Sequence, residues 1–314
     1  MTDMPSTLSS PAKTQDAILD RILRALHHYR APGSSFAGDM LNLSSEVVPG
    51  GTRMTLAPGV HVADAHGIVN PLCFSAFVDI ALARAVRAVT EYPARMATSF
   101  INLRLNGAPL KAPLVANGVF EGWSEGTEGR FASSHAELMG PDGPVGSASG
   151  QFVALGGPDM AVRFYDAEHL APLAVADLTD SEQAVFARAG DALRRAQSKG
   201  TSFISEFWDI AIEPTEGGAR AIFRNGPHAA NLVGHLQGGL QMGLAEVTAS
   251  AVLGEDWAMT SLNACFIRAG VGEAFVTTSD VMHRGRTTAV LVNRIRDEQG
   301  RLVLETTSTH AKRN

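Results

Sequence analysis

Two acids stand where acids are costly. Asp79 lies inside the run LCFSAFVDIALARAVRAV and Glu246 inside LQMGLAEVTASAVL, each nine residues after a polar side chain, Asn70 or Gln237. Both runs are apolar on nearly every side, so a carboxylate within them leaves water. Loss of water favours its neutral form and raises its pKa unless donors compensate. Carboxylates tuned in this way serve as general bases, general acids or nucleophiles. A single such acid could equally be a solvated or hydrogen-bonded structural residue. Two copies at one spacing favour chemistry.

The segments just before the two runs carry the complementary groups. DAHGIVNPLC and NLVGHLQGGL superpose so that Asp64, Gly67, Asn70 and Pro71 fall on Asn231, Gly234, Gln237 and Gly238, at a constant offset of 167 residues. The first N–H groups of a helix have no partner within it and sit at the positive end of its dipole, where they can stabilise a developing oxyanion. Glycine lets a substrate approach such a backbone closely. Gly238 can donate its N–H in this way. Pro71 has none to donate, and Leu72 replaces the second glycine. The pair Asn70-Pro71 still starts a helix well, because asparagine caps and proline suits the first helical position. Gln237 cannot titrate and would orient a hydrogen bond or cap its helix.

The elements that must position these groups occur twice. The 167-residue offset also places Ala25-Leu26 on Ala192-Leu193, Gly33 on Gly200, Ser35-Phe36 on Ser202-Phe203, Gly50-Gly51 on Gly217-Gly218 and Arg53 on Arg220. Further on it drifts, with Asn102 matching Asn263 and Gly143 matching Gly300, as changes in loop length produce. Each copy reads as an opening helix, TQDAILDRILRALHHYR or SEQAVFARAGDALRRAQ. Thr14 or Ser181 stands near its cap position, and Gly33 or Gly200 follows its end. A Gly-Gly hairpin, the long apolar helix and a meander of strands follow. The fold class expected is α+β, with each long helix wrapped by an antiparallel sheet. The expected boundaries are a disordered tail at 1–13, a first domain at 14–157, a linker at 158–179 and a second domain at 180–314.

The pattern Asn-x-x-Gly-x-x-Gln-Gly-Gly at Asn231, Gly234, Gln237, Gly238 and Gly239, with Glu246 nine residues after the glutamine, resembles acyl-CoA thioesterases of the hotdog fold, of the phenylacetyl-CoA and hydroxybenzoyl-CoA type. Glutamine stands where that family usually has histidine. TSFINLRLNGAP and TSLNACFIRAG resemble its strand after the helix, and HRGR with RDEQGRLV its terminal strands. The resemblance covers nearly the whole chain, twice, and implies a tandem double hotdog. It also implies composite sites, with the glycine-bearing helix start from one repeat and the acid from the other. The first site would join Asp79, as nucleophile or general base, to Gly238, Gln237 and Asn231, with Thr98 at a hydroxyl position that holds water in some relatives. The second would join Glu246 to the Pro71 segment, with Met259 at the hydroxyl place, and is expected to be degenerate.

Coenzyme A would enter as part of the substrate, and no other cofactor is expected. Its phosphates could be gripped by Arg284 and Arg286, which bracket Gly285 in a turn, or by Arg104 and Arg268 on matched strands. Turn arginines are also commonly only solvated. A net charge of −6 argues against a nucleic-acid surface. Cys73 and Cys265 lack metal or redox spacing and read as buried small hydrophobes. No metal, membrane span or signal peptide is expected, and the reading is of a cytoplasmic protein, with homo-oligomerisation open. Two other functions compete. A hotdog acyl-CoA hydratase or dehydratase would need an acid–histidine pair, for which only Asp64 or Asp79 with His66 or His235 could serve. A non-catalytic acyl-CoA or aromatic-ligand binding protein would bind without turnover.

Overall fold

The computed structural model describes residues 11–31, 34–89, 95–126, 129–155 and 170–313. Gly33, nearly all of the expected tail and the larger part of the expected linker lie outside these residues.

The first half of the chain forms α1 (Pro11–Tyr29), α2 (Phe36–Met40), β1 (Leu43–Val48), β2 (Gly51–Leu56), α3 (Pro71–Val89), β3 (Arg95–Leu105), β4 (Leu114–Gly126), β5 (Gly129–Gly140) and β6 (Gly143–Leu155). The second half repeats this order with α4 (Asp180–Lys199), α5 (Phe203–Trp208), β7 (Ala211–Thr215), β8 (Gly218–Arg224), α6 (Gly238–Leu253), β9 (Trp257–Phe266), β10 (Ala274–Arg284), β11 (Thr288–Asp297) and β12 (Leu302–Lys312). No helix among the described residues is long and apolar enough to cross a membrane.

All twelve strands join one antiparallel sheet in the order β1-β2-β4-β5-β6-β3-β9-β12-β11-β10-β8-β7. Read inward from either end, the two halves have the same order and meet at β3 and β9. At that seam Asn102 faces Asn263 in register, and its Nδ2 donates to the Asn263 Oδ1 at 2.6 Å. The strand after each long helix does not begin a simple meander, because β3 pairs with β6 and β9 with β12. That placement leaves the far edges of β3 and β9 free to pair with each other, which satisfies both edges at once.

Residue types explain the local structure. Gly50 and Gly217 take positive φ, 80° and 75°, in the hairpin turns. The opening helices begin earlier than the sequence suggests. Thr14 lies inside α1, and α4 is capped by Thr179 rather than Ser181, in a reciprocal capping box with Glu182. Arg30 at the end of α1 donates from Nε and Nη2 to the same Glu182 carboxylate, both at 2.7 Å, tying the two opening helices together. Cys73 is buried as expected. Cys265 is exposed, because strand alternation turns its neighbour Ala264 inward and Cys265 out.

The sheet curls around α3 and α6, which lie against each other. Phe74, Phe77, Val78 and Leu82 of α3 and Leu240, Met242 and Leu244 of α6 are fully buried. The crossing is close because of two glycines. A Cβ on Gly239 would come within 2.4 Å of the Ala76 Cα, and one on Gly243 within 2.5 Å of the Leu72 Cα. The 167-residue offset maps Leu72 onto Gly239 and Ala76 onto Gly243, so these are one contact made twice. Each has a glycine on α6, while α3 supplies alanine in one and leucine in the other. Gly243→Ala would force the helices apart at the Leu72 contact. The expected loss is about 1–3 kcal/mol of unfolding free energy, read from the midpoint of a urea titration, and an unchanged midpoint would refute the tight crossing.

Candidate active site

Asp79 sits in the middle of α3 with 6% of its surface exposed. Three donors hold it. Thr98 Oγ1 donates to Oδ1 at 2.9 Å, while Gln237 Nε2 at 2.8 Å and the Gly239 N–H at 3.0 Å both donate to Oδ2. Thr98 comes from the same half of the chain, next to a bulge at Ser99 where the β3–β6 register slips, and bulges re-aim side chains. Gln237 and Gly239 come from the other half. Burial pushes the Asp79 carboxyl up to about 6, opposed by hydrogen bonds from Thr98, the Gly239 N–H and Gln237.

The start of α6 accounts for its own donors in a telling way. Gln237 is the N-cap, and its Oε1 accepts the Leu240 N–H at 2.8 Å while its Nε2 reaches Asp79. The Gln241 N–H bonds back to the Gln237 carbonyl at 3.2 Å, and Gly239 serves Asp79. Among the described residues, no acceptor takes the Gly238 N–H. Gly238 itself lies against Asp79, since a Cβ there would stand 3.0 Å from Oδ2. One unpaired donor at the positive end of a helix therefore stands beside a buried carboxylate. Both line a cavity of about 680 Å³, a size that suits a small-molecule ligand.

Asn231 also lines this cavity, but among the described residues it is not a hydrogen-bond partner of Asp79. Its Oδ1 accepts the N–H groups of Val233 and His235 at 3.0 and 3.1 Å, shaping the loop that delivers Gln237. Asp64 does the same for His66 and Ile68 in the first half, both at 2.9 Å. His235 lines the cavity too, its pKa lowered by partial burial and then by Arg95. Among the described residues, no histidine is a hydrogen-bond partner of Asp79, and His66 is exposed in its turn.

The arginines fall differently from expectation. Arg268 lines the cavity, but Arg104, Arg284 and Arg286 do not. Arg284 covers the Trp257 ring at 5.6 Å and donates to the Leu253 carbonyl at 3.3 Å, closing the end of α6. Arg104 and Arg286 are exposed. Three arginines missed in the sequence do line the cavity, namely Arg84 and Arg87 of α3 and Arg95 at the start of β3. The sequence carried a signal only for Arg87, which lies eight positions after Asp79 and so near its helical face.

The corresponding place in the other half is built differently. Pro71 offers no N–H, and the Leu72 N–H is spent on the Asn70 Oδ1 at 3.0 Å. Leu72 packs onto Gly243, and Met259 is buried at the position matching Thr98. Glu246 is 7% exposed, and its Oε2 has no hydrogen-bond partner. Burial pushes its carboxyl up to about 7, tempered by the nearby Ser75 hydroxyl, which does not reach full hydrogen-bond geometry.

A long buried helix cradled by a curled antiparallel sheet is the hotdog fold. Solved structures bear this out. The tesB protein of Mycobacterium avium subsp. paratuberculosis is similar at 16% identity and TM-score 0.56, over 88% of this chain and 99% of that one. The acyl-CoA thioesterase II TesB2 of Mycobacterium marinum follows at 14% identity and TM-score 0.51, over 88% and 98%. A hot dog fold protein of unknown function from Alicyclobacillus acidocaldarius has 10% identity and TM-score 0.56, over 88% and 98%. At these identities the likeness is one of fold. No family model matches the chain, and no curated protein matches it in sequence.

The raised pKa of Glu246 has a consequence for stability. Unfolded, the carboxyl loses its proton above its ordinary value of 4.5, whereas folded it keeps the proton until about 7. The folded form therefore binds more protons in that window, and stability falls as pH rises through it. Glu246→Gln removes this penalty. The variant should match wild type near pH 4.5 and exceed it by on the order of 2–3 kcal/mol above pH 8, measured by denaturant titrations at both pH values. A constant difference across the range would contradict it.

Proposed function

We propose that the protein is a double-hotdog acyl-CoA thioesterase, in which residues 14–157 and 180–314 are two hotdog repeats sharing one competent composite site. The observation that carries this reading is the junction at Asp79. A buried carboxylate is held from both halves, and the one unclaimed N–H of the α6 start, at Gly238, points its chemistry at the same cavity. A general base and an oxyanion donor in one cavity are what thioester hydrolysis requires.

The reaction then runs as follows. The thioester carbonyl oxygen accepts the Gly238 N–H, so that negative charge develops where the helix dipole favours it. Asp79 takes a proton from a water, which adds to the carbonyl carbon. The tetrahedral intermediate expels the coenzyme A thiolate, and the proton held by Asp79 passes to the sulfur. Thr98, Gln237 and the Gly239 N–H occupy one lone pair of Oδ1 and both of Oδ2, which leaves Oδ1 to take the proton from water. Thr98, donating to Oδ1, keeps its own lone pairs available to the attacking water. Gln237 locks the carboxylate and the helix start with one amide. Asn231 acts at one remove, as the residue that shapes the loop.

The second site is read as degenerate. It lacks the donor at Pro71, a loss that typically costs about 10²–10³ in rate, and it has Leu72 and Met259 where space and a hydroxyl are needed. Hydrolysis reports on both halves of this reading when free thiol is measured for aliphatic and aryl acyl-CoA thioesters with wild type, Asp79→Asn and Glu246→Gln in parallel. Asp79→Asn should lose about 10²–10⁴ of kcat, and Glu246→Gln should keep its activity. The wild-type kcat should decline as pH drops through about 6, where Asp79 takes up its proton. Activity lost with Glu246→Gln and kept with Asp79→Asn would place the chemistry at the wrong end. Acyl-CoA binding with no thiol released from any substrate would make the protein a binder instead.

A further inference from the structure

Gln241 lies one turn into α6, is 3% exposed, and is among the residues that line the cavity. One neighbour sets its amide. The Leu236 carbonyl can only accept, so the atom that meets it at 3.0 Å is Nε2. That leaves Oε1 buried with no hydrogen-bond partner. A buried acceptor in this state is costly, and an apolar side chain would avoid the cost. The first half of the chain does avoid it. At the 167-residue offset Gln241 falls on Phe74, which is fully buried. The glutamine therefore stands in the half that bears the Gly238 donor, at a cost that packing does not explain.

The donor end of the amide accounts for it. Two peptide groups flank the Cα of Gln237. In the first, which joins Leu236 to Gln237, the N–H donates to the Ala229 carbonyl at 3.0 Å and the carbonyl takes the Gln241 side chain. In the second, which joins Gln237 to Gly238, the carbonyl accepts the Gln241 backbone N–H at 3.2 Å, and the N–H is the Gly238 donor that no described residue accepts. The C=O and N–H of a planar trans peptide point opposite ways, so holding the carbonyl aims the N–H. Gln241 grips both planes, one by its side chain and one by its backbone. The Gln237 side chain that reaches Asp79 leaves from the carbon between them. Phe74 keeps half of this arrangement, because its N–H bonds to the Asn70 carbonyl at 2.9 Å but its ring has no N–H or O–H to donate. Gly270 gives the grip its room, since a Cβ there would stand 3.0 Å from the Gln241 Nε2 and 3.0 Å from the Leu236 Cβ.

We propose that Gln241 is a positioning residue of this site: by pinning the peptide plane before Gln237 it holds the next plane, with its Gly238 N–H, beside Asp79 and fixes the direction in which Gln237 reaches that acid. Its effect on rate rests on the thioesterase reading of the cavity. Its effect on Asp79 can be read without turnover.

The experiment compares wild type with Gln241→Met, which keeps the length and loses the donor, and with Gln241→His, which can present an Nε2–H at similar reach. In thiol release from acyl-CoA thioesters, Gln241→Met should lower kcat by about 10- to 100-fold, less than losing an oxyanion donor outright, with KM little changed. Gln241→His should recover part of that kcat. The urea midpoint of Gln241→Met should stay at the wild-type value or rise, because the unpaired Oε1 goes with the donor. A wild-type kcat in Gln241→Met would overturn the positioning role, as would a kcat loss that comes with a lower midpoint and is not recovered by Gln241→His. Independently of turnover, the Asp79 carboxyl is titrated by carbon-13 NMR, with its signal assigned from Asp79→Asn. It should titrate higher in Gln241→Met than in wild type, since a loosened Gln237 Nε2 favours the ionised form less. If no thioester is hydrolysed and this shift appears, the thioesterase reading fails and the positioning role stands. An unchanged Asp79 titration overturns the positioning role whatever the turnover.

Discussion

Everything at the candidate site depends on how closely α3 and α6 cross. Gly239 leaves room for the α3 backbone at Ala76, and only that approach lets the Gly239 N–H reach the Asp79 Oδ2 at 3.0 Å. The same glycine is therefore both a packing residue and a hydrogen-bond donor to the acid. Widening the crossing by the width of a methyl group would break that bond, and with it the arrangement that leaves Gly238 unpaired beside the carboxylate. The sheet serves this contact. Joining β3 to β9 edge to edge sets the two long helices side by side, and the Asn102–Asn263 bond marks where the two halves meet.

The repeat was legible in the sequence because its evidence is one-dimensional. A constant 167-residue offset, two apolar helices and two hairpin glycines survive without any knowledge of the fold, and the elements appear where that pattern put them. The buried acids were legible for a related reason, since a charge inside an apolar run has few solvated places to go. Gln237 was read as a hydrogen-bond director or a cap, and it is both at once.

What escaped the sequence depended on facing and register. Arg84 and Arg87 were passed over for arginines in turns, because which wall of a helix opens onto a cavity depends on what packs around it. Arg284 looked available and is occupied instead with Trp257 and the end of α6. Asn231 was grouped with the reacting residues by its place in a motif, although its side chain is spent on the backbone of its own loop. The cap of α4 was missed by two residues, a usual uncertainty for helix ends, since Thr179 and Ser181 are both good capping types and only the Glu182 carboxylate distinguishes them.

Having both halves in one chain explains why the two helix starts could differ at all. In a dimer of identical subunits a leucine at the place of Leu72 would appear in both helices, and each would need a glycine opposite. Here Leu72 needs only Gly243, while Gly239 faces Ala76. The contact is met in two ways, and each leaves different chemistry at its end of the helix pair. On one side, glycine frees a backbone donor for Asp79. On the other, proline and leucine secure the helix start and leave Glu246 with an oxygen that nothing pairs. An acid so placed costs stability whenever it is ionised. The fold can carry that cost because the sheet and the helix crossing it supports are shared, so the packing that holds Asp79 also holds the half that carries Pro71 and Glu246.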